Sequence, residues 1–225
     1  MLYYSAMKKP KKPAEPTINY TVEQVWAAAA YAQRINGEFI SAARSTIEKS
    51  SNRKIMDPAL ADSSLVTEED TQLGQQALTW ISRDLMTKAL RNGQLSEWDQ
   101  SISTVVGRED FTNGDRLALS IIASQISAYQ KGLRAEAILA RVNSTAGYVA
   151  PIGQSVTADV EVTKVVYSQQ WNRHFISGIT SEGQMILFAY KESQPEGTRL
   201  TIKGTVKAHR DNLTQLNRVK VLGDK

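Results

Sequence analysis

Cations and apolar side chains alternate along residues 197–222, in a pattern typical of two strands joined by a short polar turn. Side chains of a strand point alternately to its two faces, so the basic residues gather on one side. These residues are Arg199, Lys203, Lys207, Arg218 and Lys220. Gly204 falls among the apolar positions, which indicates a bulge or a close backbone approach. Cations on the open side of a half-buried sheet favour binding of a polyanion.

Aromatic rings accompany a further cation in the strand predicted at residues 171–180. Alternation places Trp171, Arg173 and Phe175 on one face. Arginine is rarely buried without a partner, so we interpret this face as a surface where nucleic-acid bases stack on the rings. In the alternative, both rings point into the core and Arg173 lies where the strand bends.

The next strand, predicted at residues 185–190, is apolar on both faces. Either the odd-numbered or the even-numbered side chains must form the core. We favour an interior made of Met185, Leu187 and Ala189. This choice places Phe188 and Tyr190 outside, beside the Trp171 face, where they extend the stacking surface.

The end of the chain resembles a known family of nucleic-acid-binding barrels. Residues 197–209 (GTRLTIKGTVKAH) and 214–221 (TQLNRVKV) are similar to the last strands of the OB-fold in single-stranded-DNA-binding and replication proteins of tailed phages. The resemblance covers residues 153–222. It implies single-stranded nucleic acid, with DNA as the expected form, as partner, and a role in phage-type DNA replication or recombination without strong sequence preference.

The sequence predicts an α+β fold in two domains. Helical periodicity extends through residues 17–147, and strand alternation follows within residues 148–225. Five short strands in this region predict a small OB-like β-barrel behind an N-terminal helical bundle. Residues 1–16 are rich in lysine and proline, and they read either as a flexible basic arm for phosphate or as a solvated terminus.

Capping signals place several helix ends. Thr21 with Gln24 resembles a capping box, and Thr67 precedes an acidic first turn. Residues 50–66 contain many turn-forming residues and are predicted to form a loop. The tryptophans of the helical region, Trp26, Trp80 and Trp98, are assigned to its core.

The composition argues against metal, cofactor and catalytic chemistry. The chain has no cysteine and only two histidines, so thiolate zinc sites and disulfides are excluded. It contains no P-loop, no GxSxG, no HExxH and no glycine-rich dinucleotide turn. We therefore expect no catalytic residues, no metal, no cofactor and no enzyme activity.

Charge and hydropathy bear on partners and location. The net charge is +4, with the excess cations at the two ends of the chain. No apolar run reaches the roughly 18–20 residues needed to span a bilayer, and no signal peptide is recognisable, so a cytoplasmic protein without membrane contact is expected.

The helical domain is interpreted as a surface for replication or recombination proteins, for self-association or for further nucleic-acid contact. The main alternative is a non-enzymatic adaptor in a phage replication, transcription or virion assembly, with the barrel making protein contacts. The choice between DNA and RNA, and the oligomeric state, stay open.

Overall fold

A computed structural model describes residues 16–143 and 146–224. The predicted α+β class is confirmed, because helices occupy the first part of the chain and a closed five-stranded barrel follows them. By internal contacts the chain separates into two units, Met1–Gln130 and Lys131–Lys225, each described by itself below. The basic arm predicted at residues 1–16 lies outside the described residues apart from Pro16.

The secondary structure consists of five α-helices, two single-turn 3-10 helices (Ala42–Arg44 and Ser63–Leu65) and seven strands within the described residues. The helices are α1 (Val22–Asn36), α2 (Asn52–Ala61), α3 (Glu68–Asn92), α4 (Glu97–Val106) and α5 (Arg116–Arg141). Two short strands, β1 (Asn19–Thr21) and β2 (Asp110–Thr112), pair antiparallel in the first unit. The barrel strands are β3 (Ser155–Ser168), β4 (Arg173–Thr180), β5 (Met185–Tyr190), β6 (Arg199–Arg210) and β7 (Leu213–Asp224). In the part of the chain that the structure describes, no helix is both long enough and apolar enough to cross a bilayer.

Helix α1 forms the centre of the first unit. Its residues from Val25 to Ala30 are all buried, and a run of four alanines allows neighbouring helices to approach closely. Gly74 of α3 provides the closest approach, since a Cβ atom there would lie 2.7 Å from the carbonyl carbon of Trp26. Any side chain at position 74 would therefore push α3 away from α1.

The capping signals of the sequence are present in the structure. Thr21 accepts a hydrogen bond from the Gln24 backbone N–H, and the Gln24 side chain accepts one from the Thr21 N–H. Thr67 and Asp70 form the same reciprocal arrangement at the start of α3. These bonds satisfy backbone donors that a helix start leaves without partners.

Two predictions for the helical region are wrong. Residues 52–61 form α2 within the predicted loop, because Ser51 caps the helix and the buried Met56 and Ala59 hold it against the core. Trp98 is 56% exposed, since it lies in the first turn of α4, ahead of the buried Ile102.

The barrel closes in the strand order β3-β4-β5-β7-β6, with β6 pairing back to β3. All neighbouring strands are antiparallel except β5 and β7, which run parallel. The interior is filled by side chains that alternate along every strand, among them Ile176, Leu200 and Val206. This closed barrel is compatible with an OB-like fold.

Strand β5 faces the core with the opposite set of side chains from the one predicted. Ile186 and Phe188 are buried, Phe188 to 1% exposure, while Met185 and Leu187 are only half-buried. Directly paired residues project to the same side of a sheet, and Phe188 lies opposite Ile176, another core residue. The assignment of Phe188 to an outer stacking surface is therefore wrong, and its ring belongs to the barrel core.

Candidate nucleic-acid interface

A groove opens on the barrel where β5 and β7 separate. Their parallel pairing runs from Met185 with Leu213 to Phe188 with Leu216 and includes no later pair. Beyond that point β7 continues with β6 as its partner, while the end of β5 remains paired with β4. The resulting space measures about 460 Å³. Its lining residues are Arg173, Ala189, Tyr190, Lys191, Arg218, Val219, Lys220 and Val221.

The groove is positively charged. Arg173 reaches it from the start of β4, Arg218 and Lys220 from β7, and Lys191 from the residue after β5. No aspartate or glutamate is among the lining residues. Lys191 pairs with the neighbouring Glu192 at 3.1 Å, which raises the pKa of the lysine and partly offsets its charge. Four cations from three chain segments therefore surround one space, which favours an anionic ligand.

A β-bulge in β7 determines how the groove cations are presented. Two residues, Arg218 and Val219, lie opposite the single residue Gly204 of β6. Arg218 adopts a left-handed backbone conformation (φ 53°), which is uncommon for residues other than glycine. The extra residue directs Arg218 and Lys220 outwards while Val219 packs against the core. The bulge expected from Gly204 is thereby confirmed.

The positive surface continues from the groove onto β6. Lys203 is the direct partner of Lys220 in the ladder between β6 and β7, and both side chains are exposed. Lys207 is also exposed and lies farther along the same outer face of β6. These residues extend the row of cations beyond the groove by two lysines.

Arg199 lies in a different charged cluster. It pairs with Glu161 of β3 at 3.6 Å, and the same carboxylate pairs with Arg141 at 2.9 Å. The hydrogen bond from Arg141, opposed by burial and aided by the charge of both arginines, holds the pKa of Glu161 below its usual value. Arg199 therefore stands beside a carboxylate and outside the groove, unlike Arg173, Arg218 and Lys220.

Trp171 and Phe175 do not share a continuous strand face. Strand β4 begins at Arg173, and Trp171 lies in the preceding hairpin turn, where Asn172 has φ 46°. The positive φ interrupts the alternation on which the sequence prediction depended. Trp171 is 63% exposed at the tip of the hairpin, and Phe175 is half-buried beside Ala189 on the outer side of the sheet. Both rings remain outside the barrel core.

Tyr190 provides the aromatic ring of the groove itself. Its side chain is half-buried, packs partly against the barrel core and also lines the groove. A ring fixed on one side and accessible on the other can stack on a planar ligand at little entropic cost.

The structure thus brings together four of the ten predicted site residues in one groove, namely Arg173, Tyr190, Arg218 and Lys220. Lys203 and Lys207 extend this group, whereas Trp171, Phe175, Arg199 and Phe188 lie elsewhere. Lys191 was not among the predicted site residues, although its position directly after Tyr190, the aromatic end of β5, could have indicated that it belongs to the site.

Comparisons with known proteins give no guide to the role of this groove. No protein-family model, no curated protein and no solved structure matches the chain. Within residues 16–143 and 146–224, no group of three histidine, aspartate or glutamate side chains could hold a metal ion.

Proposed function

We propose that the barrel binds a single-stranded nucleic acid, with DNA as the expected form, along the groove between β5 and β7. The observation that carries this proposal is the convergence of four cations on a groove that no carboxylate lines. Phosphates of the strand would lie against Arg173, Arg218 and Lys220 and continue towards Lys203. Each neutralised phosphate releases counterions, so affinity would fall steeply with salt.

The aromatic residues favour a single strand over a duplex. Tyr190 offers an accessible ring within the groove, and Trp171 offers a second ring at the hairpin tip. Bases can stack on protein rings only when they are unpaired, and such stacking contributes about 1–3 kcal/mol per base irrespective of sequence. Contacts to phosphates and ring faces carry little base identity, so binding would be largely independent of sequence.

The resemblance of residues 197–209 and 214–221 to phage barrels supports a role in phage-type DNA replication or recombination. In that role the helical unit would contact replication or recombination proteins, and the protein would act in the host cytoplasm.

Fluorescence anisotropy of a labelled dT20 oligonucleotide tests the proposal. The full chain should bind dT20 at low salt and lose affinity as salt rises, and unlabelled single strands should compete better than a duplex of equal length. An Arg218→Asn/Lys220→Thr variant should bind much more weakly, whereas Lys131→Ala, which removes one exposed cation outside the groove, should bind like the parent. Equal competition by duplex, or full binding by the groove variant, would reject the proposal.

An adaptor role is a second candidate, favoured by the outer face of β4 and β5. Half-buried Phe175 and Leu187 lie on this face, and the neighbouring Val166 of β3 is 48% exposed. Apolar side chains of this kind suit a protein partner better than a polyanion. Absence of dT20 binding, together with capture of a partner that Leu187→Lys abolishes, would favour the adaptor.

A further inference from the structure

A second cavity lies in the first unit, separate from the barrel. It measures about 590 Å³, within the range of small-ligand sites. Three segments of the chain enclose it: residues 39–42, the first turns of α2, and residues 113–120 at the start of α5. The residues that line it include Phe39, Ile40, Arg53, Lys54, Asp57 and Arg116.

The lining of the cavity carries more cations than carboxylates. Its only lining carboxylate is Asp57, which forms an ion pair with Arg53 one turn earlier in α2. Among the described residues, neither Lys54 nor Arg116 has a carboxylate within ion-pair distance. Two cations on separate helices therefore line one space, and no carboxylate of residues 16–143 or 146–224 pairs with either of them, so an anion bound there would interact with both.

One part of the cavity wall, formed by Phe39 and Ile40, is apolar and held in place. Phe39 is half-buried and Ile40 is buried. The side chain of Asn52 fixes this segment, because its Oδ1 accepts hydrogen bonds from the Ile40 backbone N–H at 2.9 Å and from Asn36 Nδ2 at 2.8 Å. Asn52 is itself fully buried. The wall is therefore formed before any ligand arrives.

We propose that this cavity binds a nucleoside monophosphate, with the phosphate between Lys54 and Arg116 and the base or sugar against Phe39. Cations and an aromatic ring in the lining of one cavity match the two chemical parts of such a ligand. The volume accommodates a mononucleotide. This site does not depend on the proposed role of the barrel, since no residue is shared.

Isothermal titration calorimetry of the full chain with thymidine 5′-monophosphate tests the inference. The parent should bind the nucleotide, and both thymidine and inorganic phosphate should bind more weakly. Lys54→Ala/Arg116→Ala should lower the affinity by about tenfold or more, and Phe39→Ala should bring it towards that of inorganic phosphate. Arg91→Ala/Lys131→Ala, which removes two exposed cations outside both the cavity and the groove, is the matched control and should leave nucleotide binding unchanged.

Two results would overturn the inference: no heat of binding for the nucleotide, or equal affinity of the parent and the Lys54→Ala/Arg116→Ala variant. Thermal unfolding checks that each variant is folded. If the double variant does not fold, the single variant Arg116→Gln, which keeps most of the side chain, replaces it in the titration. If the cavity does not bind the nucleotide, the barrel can still bind dT20, so the two proposals can be tested separately.

Discussion

Lys203 of β6 and Lys220 of β7 are direct partners in an antiparallel ladder, with both side chains exposed to solvent. Like charges placed opposite one another in this way destabilise a sheet by a few tenths of a kcal/mol to about 1 kcal/mol. A phosphate lying across the two strands would convert that repulsion into attraction. If a nucleic acid binds as proposed, the pair would link the stability of the barrel to the binding of phosphate on its surface.

Replacing Lys220 by threonine should separate these two effects. Threonine suits a strand and removes the repulsion, so the free energy of unfolding of Lys220→Thr should rise by roughly 0.2–1 kcal/mol in urea denaturation. The affinity for dT20 should fall at the same time. A variant that gains stability while binding the oligonucleotide as tightly as the parent would show that the pair has no part in binding.

The charge of Arg218 can be removed by a substitution that causes no backbone strain. Asparagine tolerates the left-handed conformation that Arg218 adopts, so Arg218→Asn should be at least as stable as the parent. Loss of one phosphate contact should reduce the slope of log Kd against log salt concentration by about 0.7. Arg91→Ala, at an exposed position of α3 in the helical unit, should leave the slope unchanged. Equal slopes for the parent and Arg218→Asn would place the phosphates elsewhere.

Sequence reasoning succeeded where local chemistry decides the structure. The capping box of Thr21 and the bulge at Gly204 depend on near neighbours and on backbone freedom, so both were predictable. The core face of β5 was not, because apolar side chains lie on both of its faces. Its orientation follows from the pairing of Phe188 with Ile176, a relationship between separate strands that periodicity within one strand does not contain.

The predicted site residues do not all lie together, again because relationships between separate segments decide where they lie. Trp171 falls in a hairpin turn, where the positive φ of Asn172 ends the alternation. Arg199 was assigned to the cation row from its charge and its place in the alternation, but the strand pairing sets it opposite Glu161. The groove itself arises because β5 and β7 stop pairing, and only the assembled barrel reveals where that happens.

Tryptophan fluorescence should distinguish the two most exposed indoles. Trp171 and Trp98 are both more than half exposed, but only Trp171 belongs to the barrel. If bases stack on the hairpin tip, dT20 should quench the fluorescence of the parent and of Trp98→Phe but much less that of Trp171→Phe. Quenching that persists in Trp171→Phe and disappears in Trp98→Phe would instead point to the helical unit.

The buried carboxylate of Asp70 should make the stability of the helical unit depend on pH. Burial tends to raise the pKa of Asp70, but hydrogen bonds from Arg34 and from the Thr67 backbone outweigh it, so the folded-state pKa lies below the unfolded value. The resulting stabilisation is present above the unfolded pKa of about 4 and is lost as the pH falls through the folded value.

Asp70→Asn should accordingly lower the free energy of unfolding by about 1.5–3 kcal/mol near neutral pH, because it weakens the charged hydrogen bonds to Arg34. Urea unfolding of parent and variant at several pH values measures the difference, which should shrink as the pH falls below about 4. A difference that stays constant with pH would mean that the Asp70 charge does not contribute. Glu48→Gln, which removes one exposed carboxylate elsewhere in the helical unit, controls for the loss of one negative charge.

The salt dependence of dT20 binding tests most directly whether the groove of β5 and β7 holds a nucleic-acid strand. The parent should give a slope of log Kd against log salt concentration of at least about 2, as expected for three or more phosphate contacts. Arg173→Ala/Arg218→Asn/Lys220→Thr should lose most of that slope and most of the affinity at low salt. An unchanged slope in the triple variant, or no binding by the parent at low salt, would contradict the assignment.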